Sequence, residues 1–206
     1  KFDALKTIKF VASVNIPTQG LDLSMQFGLK KPEMMYLKTE VPAMQMKIEA
    51  GTDGKMFWGF QPGDSVRKEL PKEAVGQIQG QLSGLKNMLN PAMHDYKEKG
   101  LKAVYKELAD IDEKKCHVLT VTEEDGSTSE VSLDAISNLM YSTKSSIEAQ
   151  GQNITVEMKV REYQRVEGLT IPKRIEILQN GQVQQKITIS DVKFNIEMQD
   201  SEFMIN

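Results

Sequence analysis

The segment LDLSMQFGLK, residues 21–30, alternates apolar and polar side chains over its whole length. Its apolar members are Leu21, Leu23, Met25, Phe27 and Leu29. Because successive side chains of a β-strand point to opposite faces of the sheet, this pattern predicts a strand with one buried face and one face in water. The segment therefore predicts a sheet with one apolar face that other elements must cover.

Strand patterns continue on both sides of this segment. They cover residues 8–16, 34–40, 44–49, 56–60 and 65–70 in the first half of the chain, and residues 103–108, 115–122, 128–133, 139–146, 154–163, 171–179 and 184–194 in the second. The connections are short and contain hairpin signals such as Asp53-Gly54 and Asn180-Gly181. Strands that follow one another through short turns predict an antiparallel meander.

The spacing of apolar residues changes between the two runs of strands. Apolar residues recur there in steps of three and four, at Val75, Ile78, Leu82, Leu85 and Leu89. This spacing predicts one face of a helix, and residues 91–100 predict at most a second, short helical piece. We therefore expect one domain over residues 1–206 of mainly β (α+β) class, in which a helical insertion at 71–99 covers part of a long curved sheet.

Three glycines form a second stripe on the predicted helix. Gly76, Gly80 and Gly84 recur every four residues, and each costs about 1 kcal/mol against alanine in a helix interior. One interpretation is that the glycines let a neighbouring backbone approach closely. The other is that the helix is built to move. The sequence leaves both interpretations open.

Composition and charge exclude several classes of protein. The 206 residues carry 26 Lys and Arg against 29 Asp and Glu, a net charge of −3. A nucleic-acid-binding protein usually shows a basic excess or a basic stripe, and the sequence has neither. The longest apolar run, Met34–Leu37, has four residues, whereas a membrane-spanning helix needs about 20. The chain begins at Lys1 without a signal-peptide pattern, which indicates either a cytosolic protein or an export signal already removed.

The sequence contains no recognisable set of catalytic residues. Cys116 and His117 are adjacent, so on a strand they point to opposite faces and cannot form a nucleophile–base pair. Asp110, Asp112 and Glu113 lack the glycine and the closing glutamate of a calcium loop. We therefore expect no catalytic residue, no metal site and no cofactor, while a pair of carboxylates that act on a glycan stays open as an alternative.

Methionine is unusually frequent, with 12 of 206 residues. Several methionines occupy alternating strand positions: Met25, Met44, Met46, Met56 and Met158. Methionine is flexible and fills irregular space. The pattern therefore fits either an ordinary core filled by adaptable residues or a deformable cavity for lipid chains.

Three motifs lie far apart in the chain. They are LKKPE at 29–33, TDGKMFWGFQP at 52–62 and the closing segment 192–203, which contains Asn195 and Phe203. In this order and spacing they resemble the LolA-like outer-membrane lipoprotein-sorting family. Weaker similar stretches lie at 96–100, 132–134 and 163–172, so the resemblance spans nearly the whole chain.

The resemblance implies a half-open antiparallel β-barrel with helices as a lid over an apolar cavity. It implies a periplasmic or outer-membrane-associated carrier or receptor that binds the acyl chains of lipoproteins or lipids and performs no chemistry. We further expect a monomer whose export signal has been removed, with envelope proteins as additional partners. Two other classes stay open: a sensor or protein-interaction module of the same fold, and a lipid- or glycan-active enzyme.

The resemblance and the strand patterns together predict the residues of the cavity and its lid. On the strands these are Leu23, Met25, Phe27, Met44, Met46, Met56, Trp58 and Phe60, and on the helix they are Val75, Ile78, Leu82, Leu85 and Leu89. Trp58 is expected to face the cavity in register with Met56 and Phe60. Lys31 stands where the best-known carriers have an arginine that pairs with the lid, and it is therefore the predicted lid latch.

Overall fold

The structure is a computed structural model that describes residues 4–61, 63–89, 100–123, 126–149 and 152–205. In these ranges the strands are β1 (Thr7–Ile16), β2 (Leu21–Lys30), β3 (Met34–Val41), β4 (Met46–Thr52), β5 (Phe57–Phe60), β6 (Lys68–Glu69), β7 (Lys102–Ile111), β8 (Lys114–Thr122), β9 (Thr128–Asp134), β10 (Met140–Ala149), β11 (Gln152–Val166), β12 (Leu169–Gln179) and β13 (Gln182–Phe194). The helix α1 (Lys72–Leu89) lies between β6 and β7 in the chain, and short 3-10 helices span Pro42–Met44 and Asp200–Glu202.

The strands form one antiparallel sheet in the order β6-β5-β4-β3-β2-β1-β13-β12-β11-β10-β9-β8-β7. Strands that follow each other in the chain are neighbours, except that β13 returns to pair with β1 and that α1 separates β6 from β7. The predicted antiparallel meander is therefore confirmed, and the helical pattern agrees with α1. The rest of the predicted insertion, residues 90–99, lies outside the described residues.

The chain divides into two compact units. The first comprises residues 1–90, 164–171 and 187–206, and the second comprises residues 91–163 and 172–186. The strands β1 to β6 and α1 belong to the first unit, whereas β7 to β10 belong to the second. The single domain over residues 1–206 and the half-open barrel stay predictions.

Met44 does not lie on a strand, contrary to the sequence pattern. Pro42–Met44 form a 3-10 helix, and Gln45 has the left-handed φ of 51° with its N–H donating to the carbonyl oxygen of Pro42. Because this turn interrupts the alternation, β4 begins only at Met46 and continues to Thr52. The predicted strand at 44–49 is therefore wrong at its first two residues.

The strand register separates two faces of the sheet in the first unit. On one face, Phe27 pairs with Phe10 of β1 and with Leu37 of β3. This row continues through Ala50 of β4 to Gly59 of β5. The two phenylalanine rings are buried with their centroids 5.2 Å apart. We call this side of the sheet the Phe27 face.

The opposite face carries a row in which glycine alternates with aromatic residues: Gly28, Tyr36, Gly51 and Trp58. A Cβ atom added to Gly28 would lie 2.4 Å from Cε1 of Tyr36, and one added to Gly51 would lie 2.4 Å from Cζ2 of Trp58. Glycine is therefore required at both positions, because each neighbouring ring occupies the space that a side chain would need. We call this side of the sheet the Trp58 face.

Candidate functional site

The helix α1 lies against β3 and β4 of the first unit. Leu70, which lies two residues before α1, contacts the Phe27 face. A Cβ atom added to Gly59 of that face would lie 2.8 Å from the Leu70 side chain. We therefore assign α1 to the Phe27 face. The predicted lid residues are all at least partly buried, completely for Leu82 and Leu89 and partly for Val75, Ile78 and Leu85.

The glycine stripe of α1 has no close neighbour among the described residues of other elements. A Cβ atom built on Gly76, Gly80 or Gly84 has no neighbour within 4 Å in the part of the chain that the structure describes, apart from adjoining turns of the helix itself. Within the described residues this contradicts the interpretation that the glycines let another backbone approach closely, whereas residues 90–99 lie outside them. The interpretation of a weak helix that moves is left as a proposal.

Partly exposed apolar residues extend the Phe27 face beyond its buried centre. Met25 on β2 is aligned through β3 with Ile48 on β4, and Met46 lies two residues from Ile48 on the same side. Leu23 lies two residues from Met25 on the same side of β2. Met44, which is 53% exposed, lies in the 3-10 helix that contacts β2. The structure thus brings four predicted site residues together and adds Ile48, which the prediction missed. We call these five residues the outer row.

Trp58 belongs to a different surface from the outer row. It is fully buried against Tyr36, Met198 and Phe203, and its Nε1–H donates to the carbonyl oxygen of Phe203 over 2.6 Å. The guanidinium carbon of Arg67 lies 4.1 Å from the centroid of the Trp58 ring. The Trp58 face is therefore covered by the end of the chain, and we call residues 195–205 the C-terminal strap.

The predicted strand residues consequently do not all line one face. Phe60 lies two residues from Trp58 on β5 and shares its face, whereas Met56 is exposed in the turn before β5. Phe27 lies on the other side of the sheet, as the pairing of its row with Gly59 shows. The alternation along β2, and that of Trp58 with Phe60 along β5, is as predicted, but the pairing between strands assigns the aromatic segment to the opposite side.

Charged residues surround the aromatic cluster under the strap. Arg67 pairs with Glu49 at 3.0 Å, and Glu202 of the strap lies 3.8 Å from Lys9. Burial raises the pKa of Tyr36, and the carboxylates of Glu202 and Glu49 raise it further. Both effects favour the protonated form of Tyr36.

Lys31 lies in the turn after β2, where the Lys31–Pro32 peptide bond is cis. Its backbone N–H donates to the carbonyl oxygen of Lys6 over 2.9 Å. It borders a groove of about 670 Å³ that is also lined by Ile196 and Met198 of the strap. The role of Lys31 as a lid latch stays a prediction.

A polar network in the second unit surrounds Asp112. Its Oδ2 accepts hydrogen bonds from Lys159 at 2.8 Å and from Arg161 and Tyr141 at 2.9 Å. These donors hold the pKa of Asp112 well below its usual range, while burial and the Asp112 carboxylate raise the pKa of Tyr141 to about 12. Arg161 also pairs with Glu176 at 2.8 Å. Because these side chains pair with one another and with Asp112, the network holds the turn between β7 and β8 in place.

We expect Asp112→Asn to lower the free energy of unfolding by roughly 1–2 kcal/mol at pH 7, since Lys159 is only 10% exposed and loses its closest carboxylate. Asparagine tolerates the positive φ of 46° at this position. The pKa of Asp112 is near its ordinary value of about 4 when unfolded and lower when folded. Its contribution is therefore complete above about pH 4 and declines as the pH falls toward the folded value.

Urea denaturation at pH 7 and about pH 3 measures both effects. Asp110→Asn, on the exposed side of β7, is the matched control and should change stability by less than about 0.5 kcal/mol. An equal loss in the control, or a loss for Asp112→Asn that does not shrink at low pH, would contradict the assignment.

The described residues contain no group of three or more His, Cys, Asp or Glu side chains placed to hold a metal ion. Cys116 is buried, and burial raises the pKa of its thiol. None of the described helices combines the length and the apolarity needed to span a membrane.

Several solved structures share this fold over almost the whole chain. A DUF1329-family protein from Desulfovibrio piger matches with a TM-score of 0.65 and 12% identity, covering 98% of this chain and 91% of its own. A LolA superfamily protein from Nitrosomonas europaea matches with a TM-score of 0.63 and 17% identity over the same shares of the two chains. An outer membrane lipoprotein-sorting protein domain from Vibrio parahaemolyticus matches with a TM-score of 0.57 and 11% identity, covering 96% and 88%.

The fold of this chain is therefore LolA-like. This confirms, at the level of the fold, the resemblance that the three sequence motifs indicated. No protein-family profile and no curated protein matches the sequence itself.

Proposed function

We propose that this protein is a carrier or receptor of the bacterial envelope, in the periplasm or at the outer membrane, that binds acyl chains of lipoproteins or lipids and releases them unchanged. The outer row is the observation that carries the proposal, because its three methionines are partly exposed beside the buried centre of the Phe27 face. Methionine side chains adapt to ligands of irregular shape. The fold shared with the Vibrio lipoprotein-sorting domain supports the same function.

The helix α1 is the proposed lid over this surface. Burial of an acyl chain contributes about 0.8 kcal/mol per CH₂ group, so two fully buried chains would gross on the order of 20 kcal/mol, near the limit of non-covalent binding. A protein that must release such cargo leaves part of it exposed or couples its binding to an unfavourable opening of the lid. The unpacked glycine stripe keeps α1 weak enough for that opening to be reversible.

Incubation with a diacyl lipopeptide should raise the melting temperature of the protein, and mass spectrometry should recover the lipopeptide intact. The double variant Met25→Gln, Met46→Gln should weaken binding roughly tenfold, because a buried amide facing an acyl chain loses its hydrogen bonds to water. Met56→Gln is the matched control, since Met56 is exposed in the turn before β5.

Each alternative has its own outcome in this experiment. Equal weakening by Met56→Gln would place the acyl chains away from the Phe27 face, and turnover of the lipopeptide would indicate an enzyme. The absence of a thermal shift with either lipid or lipopeptide would contradict the carrier. A protein-interaction module of the same fold would then be favoured, with the exposed Tyr105 and Leu108, which share one face of β7, as its surface.

A further inference from the structure

The C-terminal strap is anchored to the Trp58 face in two places that differ in their surroundings. Its middle is held by Lys30 of β2, whose Nζ donates to the carbonyl oxygen of Met198 over 2.9 Å and pairs with Asp200. Its end is held by Trp58 of β5, through the carbonyl oxygen of Phe203. The middle of the strap is thus attached to a central strand, whereas its end is attached near the edge of the sheet in the first unit.

Arg67 is the second anchor of the strap's end. Its Nη1 lies 3.2, 3.2 and 2.8 Å from the carbonyl oxygens of Ser201, Glu202 and Met204, while its Nη2 pairs with Glu49 of β4 at 3.0 Å. The side chain is 14% exposed. Hydrogen bonds from a guanidinium are stronger than those between neutral groups, so Arg67 joins the strap firmly to the sheet.

Arg67 also lies in the segment that leads into α1. It is followed by β6, which has only two residues and pairs only with β5, and by Leu70, whose N–H donates to the carbonyl oxygen of Phe57 over 2.9 Å. The helix begins at Lys72. A two-residue edge strand makes few backbone hydrogen bonds, and the Arg67 side chain adds to them three contacts with strap carbonyl groups and an ion pair with Glu49.

We propose that the end of the C-terminal strap regulates α1 through Arg67. While Ser201 to Met204 are seated on the Trp58 face, their carbonyl groups hold Arg67, the β6 segment is fixed, and α1 is closed on the Phe27 face. When the end of the strap lifts, Arg67 loses these partners and the start of α1 is released. The description of α1 as a lid rests on the proposed function, whereas the coupling of strap and helix rests on these contacts alone.

Lys30 provides a matched control for this coupling. Like Arg67, it binds a carbonyl oxygen of the strap and a carboxylate. Unlike Arg67, it lies on β2 and not in the segment that leads into α1. If the strap only covers the aromatic cluster, loosening it at either residue has the same consequence for the helix.

Hydrogen exchange of the ligand-free protein, followed by mass spectrometry, separates the two cases. Arg67→Met and Phe203→Ala should each accelerate exchange in β6 and in the first two turns of α1 by about tenfold, whereas Lys30→Met should accelerate exchange only around residues 198–200. In a protein that already carries Arg67→Met, Phe203→Ala should not accelerate the exchange of α1 further, because the side chain that connects the strap to the segment before α1 is already absent. Arg67→Lys and Phe203→Leu are the milder variants if the first two do not fold.

Unchanged exchange in α1 of both Arg67 variants would overturn the inference, as would an equal acceleration of α1 by Lys30→Met. Lipopeptide binding is measured separately, and Arg67→Met should take up the lipopeptide about tenfold faster than the parent protein. If exchange responds as expected but the parent protein binds no lipopeptide, the carrier proposal fails and the coupling stands. If the lipopeptide binds but α1 does not respond, the coupling fails and the carrier proposal stands.

Discussion

Replacement of Trp58 by alanine should lower the free energy of unfolding by about 3–5 kcal/mol. The indole is fully buried between Tyr36, Phe203 and Gly51, and its truncation leaves a cavity that these neighbours fill only in part. It also leaves the carbonyl oxygen of Phe203 without its indole donor. Urea denaturation followed by far-ultraviolet circular dichroism measures the loss.

Two further variants calibrate this result. Trp58→Phe keeps most of the buried area but removes the hydrogen bond, so it should destabilise the protein by roughly 1–3 kcal/mol. Val66→Ala changes an exposed side chain nearby and should stay within about 0.5 kcal/mol of the parent. A Trp58→Ala variant as stable as Val66→Ala would show that the strap does not seal the Trp58 face.

Fluorescence tests the same assignment without a mutation, because Trp58 is the single tryptophan of the chain. Its emission should already be blue-shifted in the ligand-free protein and should not respond to an acyl ligand bound on the Phe27 face. A blue shift on addition of lipopeptide would contradict this assignment and would indicate that Trp58 faces the ligand, as the strand pattern predicts.

Replacement of Gly76, Gly80 and Gly84 by alanine should stabilise α1 by about 3 kcal/mol in total, if the three increments add. The added methyl groups meet no neighbour within 4 Å among the described residues, so no clash with these residues offsets the gain in helix propensity. Native-state hydrogen exchange of the α1 amides and the melting temperature measure the effect. Uptake of the diacyl lipopeptide should become slower, because a stiffer α1 opens less often.

Gly28→Ala is the opposite-sign control for this triple variant. The new methyl group would meet the ring of Tyr36 at 2.4 Å, so the protein should lose at least about 1–3 kcal/mol. A drop in melting temperature for the α1 variant would restore the close-approach interpretation of the glycines. A stabilised helix with unchanged uptake would discard the mobile lid but leave a binding surface on the Phe27 face.

Local patterns in the sequence predict the elements of this fold well, because they depend on residues close together in the chain. Alternation over residues 21–30 predicts β2, and the three- and four-residue steps from Val75 to Leu89 predict α1 to within about a turn. The error at Met44 also has a local cause. Pro42 and the left-handed Gln45 replace the start of the predicted strand by a turn, and the alternation of apolar residues does not register that turn.

The sequence alone therefore determines which residues of each strand share a side, whereas tertiary structure decides which sides of different strands coincide. Met56, Trp58 and Phe60 alternate as an inward-facing set should, but the pairing of Ala50 with Gly59 turns Trp58 away from Phe27. A period of two shows which residues of one strand share a face, but not which face of the sheet that is. A shift of one residue in the pairing with the next strand moves every side chain to the other face. The partner of Trp58 lies 145 residues away at Phe203, and a pattern that relates only residues close together in the chain holds no information about a contact over that separation.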